Sequence, residues 1–366
     1  MDILKVYHCP IDVSDLNLII NMLKENKVIF SPSIIPENLF NMALYLHAFE
    51  SKENVCILID RNLVSRVIKL IDGEVINPEL SESKIWRLAA AVMVFALCGN
   101  IMIEPNISLY EFCSKFSNDD ALKNLRSFRI ADNIHPQIYA DIALGRSFHI
   151  PKKLIKEVDK KIGIVDISID NFSKELDIYN RQYLYVLKMV IIKRDSKLSE
   201  TEKFITFMDW MLSEAAYNAI IINYAILFFS SRKSIRIVKN INSANPDKFR
   251  DGIKNLTWDI TYLDLFKKKF KNENSSVWIL SSNDKLLMTT SRMLFVADDG
   301  VFSIAKFNEQ LSANYCKDDA SKLFNIFEEH KKIINNCSNR NEHLDRFFSN
   351  IKGLTAEYER ILGIKS

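Results

Sequence analysis

Uninterrupted apolar runs mark three short segments of the chain as candidate strands. Residues 55–59 are five apolar or thiol side chains in succession. A run without alternation of apolar and polar positions is typical of a strand buried on both faces. Shorter runs of the same kind occur near residues 101 and 277. We therefore predict buried strands at 54–59 and 277–280 and a short strand at 101–103.

Weaker strand patterns occur at three other places. Residues 3–7 and 165–169 each have the composition of a short extended segment. The sequence ADDG at 297–300 is a turn signal, and it predicts a hairpin between 292–296 and 301–304.

Most of the remaining chain has apolar residues spaced three and four positions apart, which predicts helices. The spacing of Ser199 and Glu202 matches a capping box, in which each side chain bonds the other residue's backbone N–H at a helix start. Phe207, Trp210 and the apolar stretch 220–229 are expected in a core. The predicted helices are 13–24, 36–50, 63–71, 81–98, one from 108, 152–161, 173–192, 200–230, one starting near 257–259, and 318–362.

Alternating strands and helices favour an α/β fold with a small, mostly parallel sheet flanked by helices. Since no strand pattern stands out between 117 and 249, we predict that this stretch is a large helical insertion. The α/β core would then be discontinuous, formed by 1–116 and 250–310. Residues 311–366 would form a helical C-terminal tail.

Composition narrows the class of protein. With 48% hydrophobic and 26% charged residues among 366, the chain resembles an ordinary folded protein. A net charge of +3 requires no nucleic-acid partner and excludes none, so the local basic runs at 152–161 and 267–271 matter more. Acids near the N-terminus and the short apolar runs favour a soluble, cytoplasmic protein without a membrane partner.

Several common kinds of site are disfavoured. The six scattered cysteines include no CxxC pair, and the six histidines show no metal-ligand spacing. The sequence contains neither a glycine-rich phosphate loop nor a GxSxG nucleophile motif. These absences leave the acidic residues as the main candidates for chemistry.

Four acids recur at the junctions of strands and helices. Asp60 and Asp284 each follow a predicted buried strand and precede a helix, where open α/β sheets place their ligands. Glu111 and Asp259 lie in or near predicted first helical turns. If the two strands are parallel neighbours, the carboxylates converge and need divalent cations to offset their repulsion. The alternatives are that Asp60 only caps its helix and that Glu111 forms a capping box with Ser108.

Four segments in this order resemble the motifs of the PIN-domain nucleases. ILIDRN resembles the first motif, a strand ending in an Asp that is followed by one polar residue and an Asn. IMIEPNISLYEF and LTWDITYLDLF resemble the second and third, a helix bearing Glu and an Asp at a helix start. WILSSNDKLL resembles the fourth, a strand followed by Ser, one residue and Asp.

This resemblance implies a Mg²⁺- or Mn²⁺-dependent ribonuclease that hydrolyses RNA. Asp60, Glu111, Asp259 and Asp284 would be the catalytic metal ligands, with Asp264 as an alternative to Asp259. Asn62 and Ser282 would orient these ligands or contact substrate phosphate. The same motifs suit a toxin of a toxin–antitoxin pair or a defence nuclease, restrained by an inhibitory protein partner. The family's domain is about one third of this length, so the resemblance requires the helical insertion.

Two other interpretations remain open. The chain could be a non-catalytic module that binds protein or nucleic acid on a degenerate PIN-like scaffold, with the acids as helix caps. It could also cut DNA or hydrolyse another phosphate ester.

Overall fold

The computed structural model describes residues 9–163, 171–230, 240–272, 276–295, 304–336 and 340–364. These residues form an α/β protein that is mostly helical and contains one small sheet. The strands are β1 (Ile29–Phe30), β2 (Asn54–Ile59), β3 (Met102–Glu104) and β4 (Ser276–Ser281). The helices are α1 (Val13–Asn26), α2 (Met42–Glu50), α3 (Arg61–Ile71), α4 (Ser83–Cys98), α5 (Asn106–Cys113), α6 (Asn118–Ala131), α7 (Pro136–Ala143), α8 (Lys152–Ile162), α9 (Asp177–Arg194), α10 (Glu200–Ser213), α11 (Ala219–Phe228), α12 (Pro246–Asn272), α13 (Lys285–Leu294), α14 (Ile304–Asn314), α15 (Lys317–Asn336) and α16 (Arg340–Leu362).

The sheet has the strand order β1-β4-β2-β3. β2 pairs in parallel with both β3 and β4, whereas β1 pairs antiparallel with β4. The predicted buried strands 54–59 and 277–280 and the predicted short strand near 101–103 are therefore confirmed as strands, and the sheet is mixed at one edge. β1 was not predicted, because two residues are too few to show a period.

Three isoleucines lie side by side at the centre of the sheet. Ile57 lies in register with Ile103 on β3 and with Ile279 on β4. Ile57 and Ile279 are fully buried. The face of β2 that carries Ile57 also carries Val55 and Ile59, and it packs into a core shared with α1, α3 and α4. The opposite face of β2 is also buried, with Cys56 at 6% and Leu58 at 2% exposure, so the strand is covered on both sides.

The chain divides into two compact units. The first contains the residues up to 174 together with 266–292, and so includes the whole sheet. Helices α6, α7 and α8, which the sequence analysis placed in the helical insertion, belong to this unit. In it α6 packs on α3 and α5, α7 packs on α4, and α8 packs on α6.

The second unit contains 175–265 and the residues from 293 onward, and the part of it that the structure describes is helical. α9 packs against α16 and α10, and α14 packs against α15 and α11. Phe207 and Trp210 are buried here as predicted. The predicted helix 200–230 is two helices, because Asn218 caps a new one by accepting hydrogen bonds from Ile220 and Ile221. The Ser199–Glu202 capping box is confirmed.

The predicted helix start near 257–259 is wrong. α12 begins at Pro246, where the Asn245 side chain accepts hydrogen bonds from the next two N–H groups, those of Asp247 and Lys248. Thr257 and Thr261 lie inside this helix and donate their hydroxyl protons to carbonyls four residues earlier. Polar side chains satisfied in this way do not end a helix, so Asp259 lies in mid-helix.

The predicted hairpin is wrong where the structure describes it. Residues 292–294 are the last turn of α13, and Ile304 begins α14. The rest of the hairpin lies outside the described residues, as do the predicted strands 3–7 and 165–169. None of the helices in the described ranges combines the length and the apolar character required to cross a membrane.

Truncating the central isoleucine tests the core of the sheet. We expect Ile57→Ala to lower the free energy of unfolding by about 2–5 kcal/mol, and Ile57→Val by about 0.5–1.5 kcal/mol, because each leaves a cavity in proportion to the atoms removed. Urea unfolding followed by circular dichroism measures both. The exposed Val75→Ala should change stability by less than about 0.5 kcal/mol. Equal effects of Ile57→Ala and Val75→Ala would contradict this core.

Candidate active site

Asp60 occupies the junction between the central strand and the helix that follows it. Its backbone N–H donates to the Ser281 carbonyl at 3.0 Å, so the β2–β4 ladder continues to this residue. Its side chain caps α3 by accepting a hydrogen bond from the Leu63 N–H at 3.0 Å. Asp60 is therefore a helix cap, as one of the two interpretations predicted. Capping does not account for the whole environment of the carboxylate, which is buried with only 4% exposed.

Ser282 connects this carboxylate to the end of β4. The Ser282 hydroxyl donates to the Asp60 Oδ2 atom. The same hydroxyl oxygen accepts a hydrogen bond from the Asp284 N–H at 2.8 Å. Ser282 is fully buried, and its own N–H donates to the Val28 carbonyl at 3.1 Å. The Ser-x-Asp segment is thus held against Asp60 by its backbone as well as by its hydroxyl.

Asp284 caps α13 as Asp60 caps α3. Its Oδ1 atom accepts hydrogen bonds from the Leu286 and Leu287 N–H groups at 2.8 and 3.0 Å. Its side chain is close enough to Asp60 to raise the pKa of that residue by electrostatic repulsion. Two adjacent parallel strands therefore bring two helix-capping carboxylates together at their carboxyl ends.

Asn283 is a site residue that the sequence analysis missed. Its backbone N–H donates to the Asp60 carboxylate. Its side-chain Oδ1 atom is buried and has no hydrogen-bond partner among the described residues. The available signal was its position between Ser282 and Asp284, but side-chain burial in a turn cannot be derived from spacing.

Burial controls the charge of Asp60. The pKa of this carboxyl is raised from 3.8 to about 6, mainly by loss of solvation and to a smaller extent by repulsion from the nearby Asp284. Hydrogen bonds from Ser282, Leu63 and Asn283 act in the opposite direction, because they stabilise the carboxylate. At neutral pH the site therefore holds a buried carboxylate whose negative charge is not offset by its neutral hydrogen-bond donors.

The third strand contributes an acid, Glu104, that was not predicted from the sequence. Glu104 ends β3 in register with Leu58, two residues before Asp60, and its carboxylate accepts the Asn106 N–H at 3.0 Å. Like Asp60, it could have been recognised as an acid at the carboxyl end of a short strand. Glu111 lies further along, on α5, and is partly buried.

Ser108 does not cap α5, so the capping-box alternative for Glu111 is wrong. α5 begins at Asn106, which places Ser108 inside the helix, where its hydroxyl donates to the Pro105 carbonyl at 2.7 Å. Arg61, the first residue of α3, holds α5 in place by donating to the Ser108 carbonyl and stacking on the Phe112 ring. The helix that carries Glu111 is thus tied to the residue next to Asp60.

The two candidates for the third motif belong to the helical unit. Asp259 is partly buried on α12. Asp264 is buried with 7% exposed, and its Oδ2 atom accepts a hydrogen bond from the Gln182 Nε2 atom at 2.7 Å. The structure thus unites Asp60, Ser282 and Asp284, while the convergence of all four predicted acids stays a prediction. Asn62 is exposed on the first turn of α3.

Across the described ranges, no three His, Cys, Asp or Glu side chains are grouped so that they could hold a metal ion. Mg²⁺, however, is often held by one or two carboxylates together with waters and substrate phosphates. A carboxylate offers about four acceptor positions. Three hydrogen-bond donors contact the Asp60 carboxylate. Asp60 thus has one acceptor position beyond those three donors, and the Asp284 carboxylate and the unpartnered Asn283 oxygen belong to the turn that bonds to it.

Comparison with known proteins identifies no relative. No protein-family model matches the chain, and neither a curated protein nor a solved structure matches it.

The raised pKa of Asp60 predicts a pH-dependent stability. The folded protein binds this proton more tightly than the unfolded chain does, so its stability falls as pH rises from about 4 to about 6. Asp60→Asn has no proton to lose. In metal-free buffer, we expect the unfolding free energy of Asp60→Asn minus that of the native protein to increase by up to about 3 kcal/mol between pH 4 and 7.

Asp120→Asn provides a control of opposite sign. Its pKa is lowered, first by a hydrogen bond from Ser117, so its carboxylate stabilises the fold above the unfolded pKa. The same difference for Asp120→Asn should therefore decrease as pH rises. Urea titrations at each pH measure both differences. A flat profile for Asp60→Asn would show that this carboxyl is not held in the environment described here.

Proposed function

We propose that this protein is a metal-dependent nuclease that hydrolyses RNA phosphodiester bonds. One observation carries the proposal: Asp60 and the Ser282–Asp284 segment meet at the carboxyl ends of two adjacent parallel strands. These are the residues through which the chain resembles the first and fourth PIN-domain motifs. Had Asp60 and Asp284 lain on opposite faces of the sheet, no shared cation site would have been available to them.

The electrostatics of the site favour a cation as ligand. Asp60 is buried, and its main stabilising partners are neutral hydrogen-bond donors: the Ser282 hydroxyl and the Leu63 and Asn283 N–H groups. The neighbouring Asp284 adds negative charge. A divalent cation near both carboxylates would offset their repulsion and the cost of burying Asp60, since opposite charge favours the ionised form.

Each residue then has a distinct role. Asp60 and Asp284 would hold Mg²⁺ or Mn²⁺, and the Asn283 side-chain oxygen is placed in the same turn. Ser282 orients Asp60, because its hydroxyl donates to one carboxylate oxygen and accepts the N–H of Asp284. When bound, such a cation polarises a phosphoryl oxygen and lowers the pKa of a coordinated water. Glu104 and Glu111 are the acids on the β3 side that would complete the negative edge.

The preference for RNA comes from the family resemblance, as does the proposal that an inhibitory protein covers the acidic edge. The alternative function is a non-catalytic binding module. It is favoured by the fact that both Asp60 and Asp284 cap helices, which alone would explain an acid at each position. The two proposals differ in whether loss of the carboxylate charge removes cation binding and cleavage.

Cleavage by an Asp60 variant tests the proposed chemistry. We expect Asp60→Asn to reduce hydrolysis of a labelled single-stranded RNA in Mn²⁺ at least a hundredfold, because the amide keeps the shape of the side chain and removes its charge. Gel analysis of the products measures the rate, and circular dichroism verifies the fold. Asp119→Asn, an exposed acid on α6, is the matched control and should cleave at the native rate. Native-rate cleavage by both Asp60→Asn and Asp284→Asn would exclude this site.

Calorimetric titration with Mn²⁺ separates the nuclease from the binding module. The nuclease proposal predicts binding in the micromolar to millimolar range that disappears in the Asp60→Asn, Asp284→Asn double variant, because both carboxylates contribute to the site. Asp119→Asn should bind as the native protein does. No measurable heat from the native protein, in the presence or absence of RNA, would favour the module.

A further inference from the structure

A row of exposed lysines on α8 has no role in the proposed chemistry. Lys152, Lys153, Lys156 and Lys160 are all exposed. At 100° per residue they lie within an arc of about 100°, and Lys152, Lys156 and Lys160 are spaced over about 12 Å. We call these four residues the lysine row.

The opposite side of α8 anchors the helix. Val158 is buried in the main core of the unit, and Leu154, Ile155 and Ile162 pack against that core. Asp159 lies at the side and pairs with Arg126 of α6 at 2.7 Å. The lysine row is therefore held rigidly and points away from the core. An isolated charge run on a mobile segment would have no such fixed orientation.

The charges of the lysine row are poorly compensated. In the part of the chain that the structure describes, only Lys153 of the four takes part in an ion pair, with Glu157 at 4.0 Å. Lysines four residues apart repel each other on a helix. The first turn of α8 holds two lysines and no acid, although the helix dipole favours negative charge there. An anionic partner along the row would relieve both unfavourable interactions.

The location of the row relates it to the candidate site. The Lys152 Cε atom lies 3.6 Å from the position that a Cβ atom would take at Gly73. Gly73 follows the C-terminal end of α3, whereas Asp60 lies at the N-terminal end of that helix. The eleven residues of α3 span about 16 Å. A chain of several nucleotides could therefore contact both places.

We propose that the lysine row binds the phosphate backbone of a single-stranded nucleic acid and holds the substrate outside the cleavage site. This inference extends the proposed function, and it names the surface that holds the substrate. A row of positive charge matches a linear polyanion better than a compact anion. A membrane surface fits less well, because a helix that inserts into lipid exposes its apolar face, and that face of α8 is buried.

The test measures binding separately from cleavage. A fluorescent 30-nucleotide oligouridine is titrated with the full-length protein in EDTA at several salt concentrations. Neutralising three phosphate contacts on a single strand contributes about 2 to the slope of log affinity against log salt. For the triple variant Lys152→Gln, Lys156→Gln, Lys160→Gln, we therefore expect the slope of log affinity against log salt to be shallower by about 2. Its binding to oligouridine should be about 100-fold weaker at 0.1 M salt.

The matched control removes the same charge elsewhere. Lys84, Lys197 and Lys317 are exposed lysines outside α8, and their triple Gln variant should bind within about twofold of the native protein. A DNA oligonucleotide of equal length provides a second arm, and similar behaviour there supports a contact with phosphate. Equal losses in both triple variants would overturn the proposal. So would native affinity for oligouridine in the α8 variant, or binding to phosphatidylserine vesicles without binding to oligouridine.

Failure of this inference can be distinguished from failure of the proposed function. If RNA binding depends on the lysine row but no RNA is cleaved in Mn²⁺, the surface stands and the nuclease proposal fails. If RNA is cleaved and the α8 variant has the native KM, the nuclease stands and the surface is wrong. Where both hold, the variant should raise KM for the 30-nucleotide RNA and leave kcat unchanged.

Discussion

The parallel pairing of β2 with β4 is the constraint on which the rest of the candidate site depends. It joins segments more than two hundred residues apart in the chain, and the ladder continues to the hydrogen bond between the Asp60 N–H and the Ser281 carbonyl. One residue later the Ser282 hydroxyl reaches Asp60. Because parallel strands end at the same edge, helix caps that are remote in sequence become neighbours in space.

That arrangement places a buried carboxylate where its charge is incompletely offset. Neutral donors satisfy most of the acceptor positions of Asp60, but they supply no net positive charge. A purely structural cap does not need this degree of burial, since helix caps function well at exposed positions. The combination of a cap, a second carboxylate and an unpartnered amide oxygen distinguishes this strand end from an ordinary one.

Lys152, at one end of the lysine row, lies beside the C-terminal end of α3, and Asp60 lies at the N-terminal end of that helix. Both are held by elements packed into one core, so their separation is a fixed property of the sheet-containing unit. A nuclease needs a surface that attracts the phosphate backbone and a separate place where negative protein charge binds a cation. In the nuclease that we propose, the length of α3 between Lys152 and Asp60 would keep that lysine from neutralising the carboxylates directly.

Local sequence patterns were sufficient to predict the structural elements that depend on interactions between residues close together in the chain. The apolar run 55–59 identified the central strand, and the spacing of Ser199 and Glu202 identified a capping box. Both depend on interactions within a few residues. The proximity of Asp60 to Ser282 and Asp284 could be expected from the sequence only on the condition that β2 and β4 are parallel neighbours.

The tertiary structure decided what the chain's local patterns could not. The predicted helix start near 257–259 lies inside α12, where the Thr257 and Thr261 hydroxyls bond to carbonyls one turn earlier. The position of Glu104 depends on the register of β3 with β2, and the burial of the Asn283 side-chain oxygen depends on packing. Both involve residues far away in the chain. Strand pairing and desolvation arise only when distant segments pack together, and no local period encodes them.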